Sequence, residues 1–411
     1  MKESSWDVLV VGAGPAGGMA AWTAARMGLR VLILEEHPVV GDPAHCAGKL
    51  SVHAFAEFGI PQDLARTALR AATVYSPGGE PVTLRRQVPD SYVVDRDVFD
   101  RWLVQQALHA GAALLLRTRA CAVARDGEGV VLEAVRDQAP LRFRARVVVD
   151  AEGARARLAT LVGLGSPRRM LRGLQYQVTG IPLQEADTVE VYLGQRWAPG
   201  FFAWLMPLGE REARIGVCVD PDLARYPPAV YLEDLLRNHP ALAPRTRRIR
   251  VVRRLGGWIP LLLHARPTYA PGFLVVGDAA GHVKATSGGG IYYSLVAGQL
   301  AAQAAAHWLS GARGALRWYE RAWRARFGRE VAFTAWMRRA LDRIPDEDVS
   351  RLLIGIAQAP ELQRVIGEYG DTQYQSRLFY PFLATALRTG LRHHALGRAM
   401  ARTLLFLLAA L

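Results

Sequence analysis

The sequence predicts an α/β fold: a Rossmann-like domain that is discontinuous in the chain, an antiparallel β-sheet domain, and a helical C-terminal region. Three observations carry this reading. A strand pattern runs straight into a glycine-rich turn and an Ala-rich helix at the N-terminus, and a comparable strand, turn and helix recur near residue 278. Between them lie segments with alternating apolar residues, and beyond about Gly311 the pattern is helical, with Pro345 and Pro360 as punctuation.

Asp7-Val-Leu-Val-Val11 is a nearly continuous apolar run, as expected of a strand buried on both faces of a parallel sheet. Gly12-Ala-Gly14-Pro-Ala16-Gly17 follows at once, then a helix over Met19 to Met27, then a second buried strand, Val31-Leu-Ile-Leu34, ending in Glu35-Glu36. Strand, G-x-G-x-x-G, helix, strand and acid in this order predict a dinucleotide-binding βαβ unit. Gly12 permits the tight turn, Gly14 lets backbone approach a pyrophosphate, and Gly17 lets the helix pack closely on the strand. The helix N-terminus offers N–H groups and positive dipole to phosphates, and Glu35 is placed to accept from ribose hydroxyls, with Glu36 beside it as a second cofactor-binding candidate.

Far down the chain, Gly272-Phe-Leu-Val-Val276 reads as another buried strand. Gly277-Asp278-Ala-Ala-Gly281 follows, then Gly288, Gly289, Gly290 and Ile291, then a helix from Tyr292 to about Leu309. A carboxylate at a strand end before a glycine-rich turn suits one long ligand lying across the sheet edge. Asp278 would bind a polyol hydroxyl there, and the glycines would let backbone N–H groups approach a ring.

The 411 residues carry 51 Lys+Arg against 37 Asp+Glu, a net charge of +14, with half the chain apolar. That excludes a disordered or fibrous protein. The basic residues are scattered, without the dense run of a nucleic-acid patch, so nucleic acid is not the expected partner. Cys46, Cys121 and Cys218 form no C-x-x-C and suit a reducing compartment. With no signal-peptide pattern and no apolar run of ~18 residues, the expected location is cytoplasmic. No metal site is predicted.

Taken with Asp95-Arg96 after a middle strand, these motifs resemble the flavoprotein hydroxylase superfamily. The resemblance implies FAD, with the carboxylate of Gly277-Asp278 on its ribityl chain and Arg96 near its pyrophosphate. The superfamily's middle motif, Ala-Asp-Gly followed by Ser and Arg, corresponds to Ala151-Glu152-Gly153-Ala-Arg-Ala-Arg157, where Glu replaces Asp and the Ser is missing.

Within that superfamily the chain resembles the geranylgeranyl reductase family over most of its length. Gly41-Asp-Pro43-Ala-His-Cys46-Ala47-Gly48 is similar to the family's G-x-P-x-x-C loop, and Tyr92-Val-Val-Asp-Arg96-Asp-Val-Phe99 to its strand-to-helix entry. Phe202-Ala-Trp204-Leu-Met206-Pro207, with Gly216-Val-Cys218 after it, is similar to its substrate-domain signature, with Met206 for the usual Phe and Cys218 for the last Gly. Residues 276–291 match most closely.

The resemblance implies reduction of isolated C=C bonds in a prenyl chain by reduced FAD, with NADPH or another low-potential donor as reductant. It implies Cys46, Ala47 and Gly48 beside the cofactor, with Cys46 as the catalytic candidate. It also implies a hydrophobic prenyl substrate over Phe202, Trp204, Met206 and Pro207. From the residues alone, Cys46 reads as a small buried hydrophobe, and only its place in the family-like loop sets a role beside the cofactor level with that; Phe201 reads equally as ordinary sheet core. His45 and His282 read as structural or solvated, and Lys284 as solvated or as a phosphate contact.

Tyr75 to about Thr83 and Thr188-Val-Glu-Val-Tyr192 alternate as in a half-exposed antiparallel sheet. The expected division is residues 1–165 for the first part of the FAD-binding domain, with 71–91 lent to the substrate sheet. Residues 166–265 form the substrate domain, 266–330 the second part of the FAD-binding domain, and 331–411 the helical region. Pro381 to Leu411 carries Arg388, Arg392, His393, His394, Arg398 and Arg402 among apolar residues. It suits either a basic amphipathic helix on an anionic membrane surface or a docked terminal helix. The rival function is a flavin-dependent monooxygenase acting on a hydrophobic substrate. Carrier, number of bonds reduced and oligomeric state are not encoded in these motifs.

Overall fold

The computed structural model describes residues 5–127, 129–167, 169–261, 263 and 266–390. It comprises two compact units. The first is built from the chain up to Ala44, Arg96–Arg169 and Pro260–Ala332; the second from His45–Asp95, Met170–Ile259 and the chain from Phe333 onward.

The first unit holds the parallel sheet. Its strands run Phe273–Val275, Ala139–Asp150, Ser5–Val11, Val31–Leu34, Ala113–Leu115, each parallel to its neighbour, with Val8 opposite both Val147 and Val31. Val8, Leu9, Val10, Leu32, Ile33, Val148 and Val149 are all buried, so the continuous apolar runs report a sheet covered on both faces. An antiparallel ribbon, Thr118–Asp126 with Gly129–Arg136, extends from Ala139–Asp150. The first helix is Pro15–Arg26, longer at its start than the pattern predicts, because Pro15 takes the first helical position, where its missing N–H costs nothing. It crosses the helix Ile291–Leu309 closely: a Cβ on Gly298 would lie 2.3 Å from the Ala16 carbonyl oxygen.

The second unit holds a seven-stranded sheet in the order Arg250–Leu261, Arg169–Thr179, Glu212–Val219, Ala203–Pro207, Thr188–Tyr192, Ala71–Tyr75, Pro81–Arg85. The hairpin-type pairs within it are antiparallel. Ala71–Tyr75 and Thr188–Tyr192, however, pair parallel, a departure from the antiparallel expectation. A parallel pair needs a long crossover rather than a turn, and the intervening stretch of sequence supplies one. Thr188–Tyr192 is also not half-exposed: it is covered on both faces and buries Glu190, whose carboxylate meets the Arg245 guanidinium at 2.8 Å twice over. A small sheet of Lys49–Ser51, Ser91–Val94 and Ala65–Leu69 adjoins.

The helices Asp346–Ala357, Pro360–Tyr369 and Ser376–Gly390 cover the edge strand Pro81–Arg85, where Val82 packs with Ile356, Leu362 and Ala386. Residues 391–411, including Arg392, His393, His394, Arg398 and Arg402, lie outside the described residues, so the terminal amphipathic helix is described only as far as Gly390.

Candidate functional site

The first strand hands over to the first helix through a turn that only glycine can make. Gly12 has φ +98°, and a Cβ there would stand 2.4 Å from the Ala151 carbonyl oxygen; one on Gly17 would stand 1.9 Å from the Gly12 oxygen. Gly14 differs. Its backbone is extended, a Cβ would meet nothing within 4 Å, and it caps the helix without any side-chain acceptor for the N–H groups behind it. An open N-terminus beside a bare glycine is the surface a diphosphate would occupy.

Glu35 turns back onto this loop. One carboxylate oxygen accepts from Ala13 N–H at 2.8 Å; the other accepts from His37 N–H at 2.9 Å and lies 2.6 Å from His37 Nδ1. It therefore braces the turn and retains a lone pair for a hydroxyl. Glu36 points elsewhere and pairs with Arg155 at 3.2 Å.

Beyond the strand Phe273–Val275, Gly277 (φ +64°) opens a short turn that carries Asp278. Burial pushes the Asp278 carboxyl up from the usual range, and the Arg96 charge opposes it. Arg96 is itself held by Asp100 at 3.0 and 2.8 Å. A Cβ on Gly290 would lie 3.4 Å from Asp278 Oδ1. The loop between them is pinned by Gly288 N–H to the Lys284 carbonyl at 2.9 Å and Lys284 N–H to the Gly289 carbonyl at 3.2 Å, and Ile291 opens the following helix.

Lys284 is not solvated: it is 2% exposed, with Nζ 5.5 Å from the Tyr293 ring centre. His282 is a core ring stacked 3.8 Å from Trp323, and burial pushes its pKa down to about 3, which keeps it neutral. Gly12, Gly14, Ala16, Gly17, Glu35, Arg96, Asp278 and Gly288 to Ile291 thus sit in one unit. They offer an anion-binding helix start, two carboxylates for hydroxyls, and bare backbone. These features fit FAD: diphosphate, ribose, polyol and ring each have a matching group.

The middle motif works through its backbone and its acids. Ala151 closes over Gly12, while the Glu152 carboxylate accepts from Arg157 N–H at 2.6 Å and Leu158 N–H at 3.1 Å, starting the helix Arg157–Leu161. Sequence reasoning passed over Asp150, which accepts from Glu152 N–H and Ala159 N–H, both at 3.1 Å. Burial, then the Glu152 charge, pushes its carboxyl up to about 7.

The second unit carries the cysteine loop. Gly48 has φ +84°, and a Cβ there would lie 2.1 Å from the Val94 carbonyl oxygen. Its N–H points at Cys46 Sγ, 3.3 Å away. Arg214 donates to the carbonyls of Ala47 at 2.8 Å and Val94 at 3.0 Å and pairs with Asp95. His45 lies on the exposed side, with its Cβ 3.1 Å from where a Cβ on Gly257 would stand.

Along Ala203–Pro207, strand alternation puts Ala203 and Leu205 into the sheet core and Trp204 and Met206 on the other face, with Phe202 just before the strand. Phe202 stacks on Phe201 at 4.4 Å and meets Trp204 edge-on at 6.1 Å. Met206 is buried among Leu69, Val93, Val189 and Leu208, beside Ala47 and Trp204; Pro207 is buried too. Cys218 is wholly buried, and desolvation pushes its thiol far up, which makes it inert. Gln175 and Arg214 were not predicted. A buried amide or guanidinium inside a strand pattern gives no signal until the register of the sheet is known.

Among the described residues no group of three or more His, Cys, Asp or Glu could hold a metal ion, and no helix is long and apolar enough to cross a membrane.

Two family models match the chain: FAD dependent oxidoreductase over residues 7–191, and geranylgeranyl reductase catalytic domain over residues 170–259. A digeranylgeranylglycerophospholipid reductase from Methanopyrus kandleri is 32% identical over 374 residues, covering 88% of this chain and 93% of its own length. One from Methanosphaerula palustris is 33% identical over 356 residues, 83% of this chain and 85% of its own. Among solved structures, a geranylgeranyl bacteriochlorophyll reductase-like protein from Thermoplasma acidophilum superposes with a TM-score of 0.82 at 25% identity, covering 94% of this chain and 99% of that one. A flavin-dependent brominase shares the fold at a TM-score of 0.71 and 18% identity.

Proposed function

The chain belongs to the geranylgeranyl reductase family of FAD-dependent oxidoreductases, and from that premise we propose that its substrate is a lipid carrying geranylgeranyl chains on a glycerophosphate head. The named relatives support this carrier. The structural observation that carries the reading is the apolar, partly open face of Phe202 and Trp204, backed by buried Met206, on the same unit as the Cys46 loop.

An isolated double bond is unactivated, so its reduction needs a hydride at one carbon and a proton at the other. Reduced FAD supplies the hydride when bound. The chain's own residues do the rest. Gly12, Gly14, Ala16, Gly17, Glu35 and Arg96 would hold the cofactor's adenosine diphosphate end; Asp278, Gly288, Gly289, Gly290 and Ile291 would hold its polyol and ring. Cys46, Ala47 and Gly48 would meet the cofactor's reacting end, with Cys46 as the proton-handling group. Phe202, Trp204, Met206 and Pro207 would orient the prenyl chain and exclude water. Glu36, paired with Arg155, would stand beside Glu35 at the same end of the cofactor. No second glycine-rich turn of the first kind occurs in the sequence, so NADPH or another low-potential donor would bind transiently.

The substrate's location supports a peripheral membrane position. The last described helix exposes Tyr380 (67%) and Leu387 (51%), and Arg377 and Arg388 flank them on a chain of net charge +14. That composition suits anionic lipid.

The test is mass spectrometry after anaerobic incubation of the reduced holoenzyme with a digeranylgeranyl glycerophospholipid and free geranylgeranyl diphosphate together. Stepwise gains of two hydrogens on the phospholipid support the proposal, and gains on the diphosphate alone reassign the carrier. Addition of oxygen, and only in air with a nicotinamide donor, would make the chain a monooxygenase.

A further inference from the structure

Three residues lie in register on three adjacent strands of the second unit. Gln175 stands opposite Gly216, and Gly216 stands opposite Trp204. Because the middle position has no side chain, the indole lies across it, with a ring carbon 2.3 Å from where a Cβ on Gly216 would be. Trp204 Nε1–H thereby reaches Gln175 and donates to its Oε1 at 3.2 Å. The other end of the same amide, Nε2, donates to the carbonyl oxygen of Cys46 at 3.2 Å.

Gln175 is 4% exposed, and a buried amide is costly unless both ends are satisfied. Its orientation is fixed by its partners, since an indole N–H only donates and a carbonyl only accepts. Arg214 holds the next carbonyl, that of Ala47, at 2.8 Å. Two consecutive peptide oxygens of the loop are therefore tied to the sheet, one by an arginine and one by an amide that also grips the indole.

We propose that Gln175 is a positioning residue that couples the Phe202–Trp204–Met206 face to the Cys46 loop, so that the position of the indole sets the position of the thiol. This rests on the reading above, in which that face receives the prenyl chain and Cys46 handles the proton. A chain seated against Trp204 and the group that completes the reaction are then aligned through one side chain. Met206, beside Trp204, is the position through which chain width would be felt.

The test uses the full-length, FAD-loaded protein and its own cysteines. Iodoacetamide labelling is read peptide by peptide, with exposed Cys121 as internal reference and buried Cys218 as reporter of unfolding. Gln175→Glu keeps the acceptor for the indole and replaces the donor to Cys46 with an oxygen; Gln175→Met removes both bonds. In both, the Cys46-to-Cys121 labelling ratio is expected to change about fivefold or more, the equivalent of one neutral hydrogen bond. Cys218 stays protected. In turnover, Gln175→Glu is expected to lower kcat with little change in KM.

An unchanged ratio in both variants, with Cys218 protected, overturns the proposal. If Cys218 becomes labelled in both, Trp204→Phe decides: it removes the Nε1–H donor together with the pyrrole ring that carries it, and an unchanged Cys46 ratio there overturns the coupling. Failure of the wild-type protein to reduce any prenyl lipid would refute the functional reading. The labelling ratio, which needs no turnover, would still report the coupling.

Discussion

The carbonyl oxygen of Ala151 stands 2.4 Å from the point where a side chain on Gly12 would begin. The strand end that carries the middle motif is therefore the floor of the N-terminal turn, and neither segment can change its backbone without the other. This explains why Glu for Asp and a missing Ser are tolerated in the middle motif: its contact with the turn is a main-chain atom, and Glu152 still caps the helix behind it.

Two glycines of the same turn are expected to behave differently. Gly14→Ala places a methyl where the protein has nothing within 4 Å and leaves φ at −74°, so it should fold with an unchanged melting temperature. Any loss of FAD affinity then reports direct approach of the diphosphate, and we expect at least about tenfold by titration, roughly one to two lost hydrogen bonds' worth. Gly12→Ala, at φ +98° and against Ala151, should lower the melting temperature of the cofactor-free protein as well. Equal FAD affinity for Gly14→Ala and the wild type would remove the diphosphate from this turn.

Much of this was legible in the sequence. The N-terminal turn and the cysteine loop announce themselves through glycines at positions where a Cβ would collide with backbone, as at Gly12, Gly17 and Gly48, and the Asp278 turn through Gly277, where a Cβ would meet the Ala16 methyl at 2.9 Å. The parallel pairing of Ala71–Tyr75 with Thr188–Tyr192 did not announce itself, since period-2 alternation is the same for either strand direction. Nor did Gln175 or Arg214. Their roles depend on which residue stands opposite which, and register is set by the whole sheet rather than by local pattern.

Asp150 gives a pH dependence of known sign. Its folded carboxyl is pushed up to about 7 from an ordinary 3.8, by burial and then by Glu152. Between those values the folded protein holds a proton that the unfolded chain releases. Its contribution is therefore present in full at the acid end and is lost as pH rises towards 7. Asp150→Asn should remove that decline, read as the difference in denaturation midpoint between pH 4.5 and pH 7.5 for the two proteins. An identical decline in both would assign it to other groups.

Gly216 is expected to be as sensitive as the glycines of the turns, though it lies within a strand. Gly216→Ala drives a methyl into the Trp204 indole, and overpacking of this kind costs about 1–3 kcal/mol. The indole must move off Gln175, so intrinsic fluorescence should shift and prenyl reduction should fall while FAD remains bound. A variant with wild-type turnover would show that the indole's place over Gly216 is immaterial.

Glu190 and Arg245 serve the sheet and not the chemistry. Arg245→Ala leaves a buried carboxylate facing Tyr192 and should cost about 3–5 kcal/mol in denaturant unfolding. The double change Glu190→Gln with Arg245→Met should cost less than the single one, because no buried charge is left alone. The reverse ranking would mean that the pair itself, rather than its charge balance, is what stabilises the strand.

The most direct test of the account is a single anaerobic turnover: stoichiometrically reduced holoenzyme mixed with a digeranylgeranyl glycerophospholipid, with flavin absorbance and lipid mass followed together. The flavin is expected to reoxidise without oxygen, and the lipid to gain two hydrogens for each flavin reoxidised. A flavin that stays reduced until air is admitted, with no hydrogen gained by the lipid, would contradict it.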